Sequence, residues 1–436
     1  MKITIEKLAP EKRKNLGVYI HIPFCRQRCG YCNFCSVVPG RGGEQMDRYA
    51  RALTEHISEY ASLLDDYIID TVYFGGGTPT FFGADRIVTL LDDLKRMAHV
   101  SLNAEISIEA NPDSVDMRGL SMLKNAGVNR ISIGVQSGND KMLSDLGRVH
   151  SFRQASNAVS LARVVGFDNI SVDYMFGLPN QTLSEHATSL ARVLDLNPDH
   201  MSCYCLELKD DTSFYEAYKD SLFLPDADLQ ADMFLYAADI LTNAGFDHYE
   251  ISNYAKPGKR CRHNMKYWLR ENYLGFGASA ASCMSNTRFS FISDVEKYTR
   301  GVLGGKDRLM MDDDYFQLPQ VEQLKEYIML GLRTSFGLNS KKCEELYDSL
   351  PESFEELLAE WTEIGLLENT VISPKTDETN GEQTWVPTEK GFLLADRMAV
   401  EMSVQLQWDI DKAKGVAAPL LSEGNPVPHY KHITGE

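Results

Sequence analysis

The stretch Tyr19-Ile20-His21-Ile22-Pro23-Phe24-Cys25-Arg26-Gln27-Arg28-Cys29-Gly30-Tyr31-Cys32 decides how the chain begins to fold. Val18–Ile22 alternates β-branched and aromatic residues and reads as a strand, and Pro23, which has no N–H to give a ladder, closes it. Three cysteines follow on one short loop. Outward from this stretch, Thr71–Phe74, Glu105–Glu109, Arg130–Val135 and Ile170–Tyr174 repeat the strand pattern, each followed by a longer amphipathic run. Strand and helix in alternation predict βα units and a mainly parallel sheet. Gly127, Gly166 and Gly245 each stand where a helix would end and feed into the next strand, the usual place for a C′ glycine. Thr182 and Glu185, after Gly177-Leu178-Pro179, have capping-box spacing. The α/β region, a partial or complete (β/α) barrel of TIM-like type, is expected over residues 16–285 after a lead of 1–15.

Beyond about residue 320 helical periodicity takes over, through Gln323–Arg333 and Phe354–Ile364. Apolar segments around Val371 and Trp385, separated by the hydrophilic Lys375–Gln383, suit a small hairpin, and Lys390–Met402 suits another helix. A mainly helical, winged-helix-like domain is expected over 286–408, with a polar tail over 409–436. Such modules often bind DNA, but Phe336–Glu401 holds 15 acidic residues against 5 Lys and Arg, which suits packing or a protein partner. Across all 436 residues 62 acids face 44 Lys and Arg, a formal charge of −18 that disfavours nucleic acid. No apolar run approaches the roughly 20 residues that span a bilayer, and Glu6 sits early where a signal peptide carries no acid, so a cytoplasmic protein is expected. Nine cysteines are an odd number, and Cys25, Cys29, Cys32 and Cys35 crowd together, which favours metal ligation over a disulfide framework.

Three thiolates on one loop can hold three irons of a cubane and leave the fourth iron open to an outside ligand. A zinc knuckle completed by Cys35 is the alternative, and spacing alone leaves both open. Gly75-Gly76-Gly77-Thr78-Pro79-Thr80 follows a strand but has neither a Gly-Lys-Ser/Thr ending nor a G-x-G-x-x-G pattern, so no phosphate loop or dinucleotide fingerprint fits. Tyr19–Cys25 with Cys29, Tyr31 and Cys32, then this glycine run, resembles the radical S-adenosylmethionine (SAM) superfamily. More narrowly the chain is similar, from about residue 15 to 400, to the branch that holds coproporphyrinogen III dehydrogenases and the HemW heme chaperones. The resemblance implies a radical SAM barrel and a 4Fe-4S cluster on Cys25, Cys29 and Cys32, whose open iron chelates SAM. It also implies SAM contacts at Tyr19, Tyr31, Gly75, Gly76, Glu109, Gln136, Arg148 and Asp173.

His263-Asn264-Met265-Lys266-Tyr267-Trp268 resembles the H-N-x-x-Y-W motif that the family associates with heme, which implies heme contacts at His263, Asn264, Tyr267 and Trp268. Without the resemblance, capping and core packing would be the plainer reading of these four residues. Independently of it, Lys256, Lys259, Arg260, Arg262, Lys266 and Arg270 form a run of six cations with no acid between them, which could pair heme propionates or form a solvated loop. Phe34 stands where the dehydrogenase branch has a fourth cysteine, Cys35 lies one position later, and the lead before Tyr19 is short. Ala281 occupies a position where many relatives have His. The expectation is therefore a heme chaperone with no assigned catalytic residue. It would carry a 4Fe-4S cluster, SAM and heme, and pass heme to acceptor heme proteins, membrane-associated respiratory ones among them. Coproporphyrinogen III oxidation and a radical SAM reaction on heme itself are the rival readings.

Overall fold

The computed structural model describes residues 13–305, 315–347, 350–370 and 383–413. The described residues up to 248 and from 252 to 316 form one compact unit, and those of 249–251 and from 317 onward form another. Residue 285, the boundary expected from the sequence, lies inside the first unit.

Six strands organise the first unit: β1 (Lys14–Ile22), β2 (Tyr67–Gly76), β3 (Val100–Ala110), β4 (Arg130–Gln136), β5 (Ile170–Phe176) and β6 (His200–Cys205). They pair in parallel in that order, so each of the five strands read from the sequence is present and longer than its apolar run suggested. Tyr273–Phe276 pairs parallel to the other edge of β1, and Asn253–Ala255 antiparallel to β6. Among the described residues no pairing joins the two ends of the sheet, so the barrel is partial.

One face of this sheet is apolar and the other polar. Val18, Ile20, Val72, Phe74, Ile106, Ile108, Ile131 and Val172 pack with the helices in a single core. At roughly 25 cal/mol per Å² of apolar surface, this face stabilises the unit. The opposite face carries registered polar layers: Gly17, Thr71 and Glu105 in one, Tyr19, Tyr73 and Ser107 in the next, and His21 beside Gly75 in a third. The helices end as the sequence indicates, with Gly127, Gly166 and Gly245 at positive φ and Thr182 and Glu185 forming a reciprocal capping box.

In the second unit helices Gln320–Gly331, Ser340–Leu346 and Glu352–Glu363 accompany a three-stranded antiparallel sheet in the order Leu338–Asn339, Thr384–Pro387, Leu367–Thr370. The arrangement is winged-helix-like. Val371 and most of the hydrophilic stretch lie outside the described residues. The helix expected over Lys390–Met402 is broken at Leu394 into Glu389–Leu393 and Ala395–Ala413. Its second part runs past Asp409, where the polar tail was expected to begin, and the remainder of that tail lies outside the described residues.

Burial of histidines in the first unit has a pH consequence. Burial lowers the imidazoles of His56 and His263 to about 3, and those of His21, His150 and His186 to about 4. Each is neutral in the fold and takes up a proton on unfolding once pH is below the usual value of about 6.5. The unfolded chain then binds more protons, so stability falls as pH drops from about 6.5 towards 4. Thermal midpoints measured across that interval should decline steadily, and equal midpoints at the two ends would contradict the neutral assignment.

Candidate functional site

The cysteine loop leaves the C-terminal end of β1 and is pinched at its base, where Cys25 N–H donates to Val37 O at 3.0 Å and Val37 N–H to Pro23 O at 2.7 Å. The glycine run at the end of β2 backs this base. Gly77 N–H donates to Ile22 O at 2.8 Å and Thr78 N–H to Phe24 O at 2.9 Å. A Cβ on Gly77 would lie 2.8–2.9 Å from backbone atoms of Pro23, Ile22 and Phe24, and one on Gly76, whose φ is +114°, would strike the His21 ring. Glycine is required here so that two stretches of backbone can touch.

Glu109, at the end of β3, accepts the Tyr73 hydroxyl at 2.9 Å on one oxygen and Gly76 N–H at 3.0 Å on the other. Burial, then the nearby Asp173 carboxylate, lifts Glu109 to about 7. Asp173, itself raised by burial, accepts the Ser132 hydroxyl at 3.1 Å. Tyr19 donates to His21 Nδ1 at 2.9 Å, and His21 Nε2 donates to Cys35 O at 2.9 Å, which fixes the neutral tautomer. Gln136 holds a left-handed φ of 66° and accepts the Tyr204 hydroxyl at 2.8 Å. Tyr31 packs edge-on to Phe214, whose N–H donates to Gly30 O at 3.0 Å, so the segment after β6 straps the cysteine loop.

Tyr19, Gly75, Gly76 and Glu109 are thus brought together. Asp173 lies within electrostatic reach of Glu109, and Tyr31 and Arg148 flank Cys29. Arg148, one of the implied SAM contacts, donates to Cys29 Sγ at 3.5 Å, Asn111 Oδ1 at 2.6 Å and Gly134 O at 3.0 Å. Thr78, Asn111, Tyr73 and Phe214 were not singled out from the sequence. Thr78 sits inside the glycine motif and Asn111 just past a strand end, so both carried a readable signal, whereas nothing local marks Phe214.

Cys25, Cys29 and Cys32 are half-buried thiols, and burial pushes Cys32 to about 11, a cost that a bound cation offsets by stabilising the thiolate. Among the described residues no three His, Cys, Asp or Glu side chains form a group around one metal ion. Cys35 Sγ donates to Ser293 O at 3.1 Å, away from such a role. A zinc knuckle needs four ligands closed on one ion, whereas a cubane distributes three thiolates over three irons. The three-thiol donor set fits the cluster.

The H-N-x-x-Y-W segment lies on the short helix Arg262–Trp268, and its histidine enters the polar layer of Gly17, Thr71 and Glu105, on the β1–β3 side away from the cysteine loop. His263 is fully buried. Nδ1 pairs with Thr71 Oγ1 and Nε2 with the Tyr267 hydroxyl, both at 2.8 Å. Its N–H donates to Glu105 Oε1 at 3.1 Å, and its ring stacks on Tyr73 with centroids 5.3 Å apart. Both ring nitrogens of His263 are thus engaged by hydroxyls in this arrangement. Tyr267 is tied to it, while Asn264 and Trp268 remain half-buried. The six cations do not form one patch. Lys266 is buried between Asp70 and Glu271, each at 2.9 Å, Lys259 donates to Asp168 O, Arg262 to Asn103 O and Arg270 to Asn286.

Residues 19–193 match the radical SAM superfamily. The chain is 36% identical over 357 residues, 81% of its length and 93% of the relative's, to the heme chaperone HemW of Bacillus subtilis (strain 168). It is 32% identical to HemW of Lactococcus lactis subsp. lactis (strain IL1403), covering 88% of this chain and 97% of that one. Among solved structures, coproporphyrinogen III oxidase (HemN) from Escherichia coli, a radical SAM enzyme, superposes with a TM-score of 0.76 at 25% identity, covering 91% of both chains.

Gly77→Ala tests the backbone contact. It should lower stability by about 1–3 kcal/mol, as overpacking does, and reduce iron retained after reconstitution. Unchanged iron and melting temperature would show that the two backbones can part without consequence.

Proposed function

The chain belongs to the HemW heme chaperone family of the radical SAM superfamily, and from that premise we propose that it binds heme and hands it to acceptor heme proteins in the cytoplasm or at the membrane face. The observation that carries this reading is the alignment with HemW relatives across 93–97% of their length, at identities of 32–36% against 25% for the coproporphyrinogen oxidase.

Cys25, Cys29 and Cys32 are the proposed ligands of a 4Fe-4S cluster. When bound, the cluster would supply one iron without a protein thiolate, to which SAM can be chelated. Tyr19, Tyr31, Gly75, Gly76, Glu109, Gln136, Arg148 and Asp173 form the proposed SAM surface. The Glu109 carboxyl, lifted to about 7, can ionise when an ammonium group comes beside it. Phe34 in place of a fourth loop cysteine supports chaperone over dehydrogenase.

Anaerobic reconstitution, heme titration and product analysis test the proposal together. Stoichiometric heme binding is expected, with no protoporphyrinogen IX from coproporphyrinogen III, SAM and reductant. Turnover would reverse the assignment.

We infer that the heme ligand is a group other than His263, whose ring nitrogens both have hydroxyl partners. His263→Ala should leave the Soret position of bound heme unchanged, since axial ligation sets it. The same substitution should cost about 2–4 kcal/mol of stability through the cavity and the stranded Thr71 and Tyr267 hydroxyls. A displaced Soret band would restore His263 as a ligand.

A further inference from the structure

Two of the three proposed cluster sulfurs receive hydrogen bonds from a single connected set of side chains, and the direction of every bond in it is fixed. Arg148 can only donate: Nη1 reaches Cys29 Sγ at 3.5 Å, while Nη2 reaches Asn111 Oδ1 at 2.6 Å and Gly134 O at 3.0 Å. With its carbonyl oxygen taken by Arg148, Asn111 presents its amide nitrogen to Thr78 Oγ1 at 2.9 Å. Thr78 therefore accepts on its oxygen and turns its hydrogen to Cys25 Sγ, 3.5 Å away. The relay is anchored at both ends of Asn111. Its N–H donates to Ser114 Oγ and its C=O accepts from the same hydroxyl, which also pairs with Thr80. Thr78 is buried, so bulk water does not compete for its hydroxyl.

We propose that Thr78 and Asn111 are positioning residues of a hydrogen-bond relay that, with Arg148, sets the reduction potential of the cluster through Cys25 and Cys29. The proposal rests on the reading of these cysteines as cluster ligands. Reduction adds one electron, whose charge spreads onto the thiolate sulfurs, and a hydrogen bond directed at a sulfur stabilises that added charge. Donors on two sulfurs raise the potential relative to the same loop without them. Cys32 also has a hydrogen bond, at the backbone of Phe34, so the relay's own contribution is the pair of side-chain donors it aims at Cys25 and Cys29. Arg148 supplies a full positive charge and Thr78 a neutral dipole. Asn111 touches no sulfur and acts only by orienting the other two.

The test is an EPR-monitored redox titration of the reconstituted full-length protein, with iron and sulfide content measured for each variant. Thr78→Val keeps the shape and removes the donor. Its midpoint should move negative by about tenfold in the one-electron reduction equilibrium, about 59 mV. Thr78→Ser, which restores the hydroxyl, should return the midpoint towards wild type, a rescue that a purely structural role would not give. Asn111→Leu should move it negative by less, and Thr78→Val with Asn111→Leu should fall short of the sum, because both act on one relay. A wild-type midpoint in cluster-loaded Thr78→Val overturns the proposal. Should that variant fail to load, an unchanged midpoint in Asn111→Leu overturns it as well. Absence of a reduced-cluster signal in the wild-type protein would instead overturn the underlying cluster reading.

Discussion

The contact on which the site depends is the meeting of two stretches of backbone, Ile22–Phe24 and Gly76–Thr78. Parallel pairing of β1 and β2 brings them side by side, and two further N–H···O bonds, from Gly77 and Thr78, carry the pairing past the strand ends. With no side chain possible at Gly77, the cysteine loop is held against the sheet and the glycine run cannot drift from it. The same contact settles where Thr78 and Gly76 point. Thr78 reaches Cys25, and Gly76 N–H reaches Glu109. A loop of three cysteines elsewhere would be flexible, and a cofactor bound there would have to order it at a cost of about 1–2 kcal/mol per residue.

The polar face of the sheet is built in layers, and its contents differ from layer to layer. Near the cysteine loop lie groups that can exchange partners: Glu109 near neutral pKa, Asp173 and Gln136. Farther from it the layer of Gly17, Thr71 and Glu105 is filled by the His263 ring, which meets a hydroxyl on each nitrogen. The two ends are joined by stacking, since Tyr73 contacts the His263 ring on one side and donates to Glu109 on the other. The H-N-x-x-Y-W segment therefore closes the interior of the partial barrel. A heme bound along this segment would meet the half-buried Trp268 and Asn264 before it met the imidazole.

Local signals were the legible ones. Strands β1 to β5, the glycine C′ positions and the Thr182–Glu185 box rest on residues within a few positions of one another, and each appears as read. The nearness of Tyr19, the glycine run and Glu109 followed from their places at strand ends in a parallel sheet. Nothing in Leu146-Gly147-Arg148 shows that Asn111, 37 positions earlier, would meet the guanidinium. For His263 the residues alone pointed to capping and core packing, but not to the partner: the helix turns the imidazole inward, where Thr71, 192 positions away, meets it.

The cations teach the same lesson from the side of charge. In a chain of net charge −18, six positive residues with no acid between them suggest an anion site, but the described partners belong to the protein itself. Lys266 is held between two carboxylates, and Lys259 and Arg262 donate to carbonyls of Asp168 and Asn103. These contacts fasten the segment and its short helix to the sheet rather than build a field. A helix fastened in this way keeps the His263 ring beneath Tyr73. Through Tyr73, it also keeps Glu109 directed at the glycine run on which the cysteine loop rests.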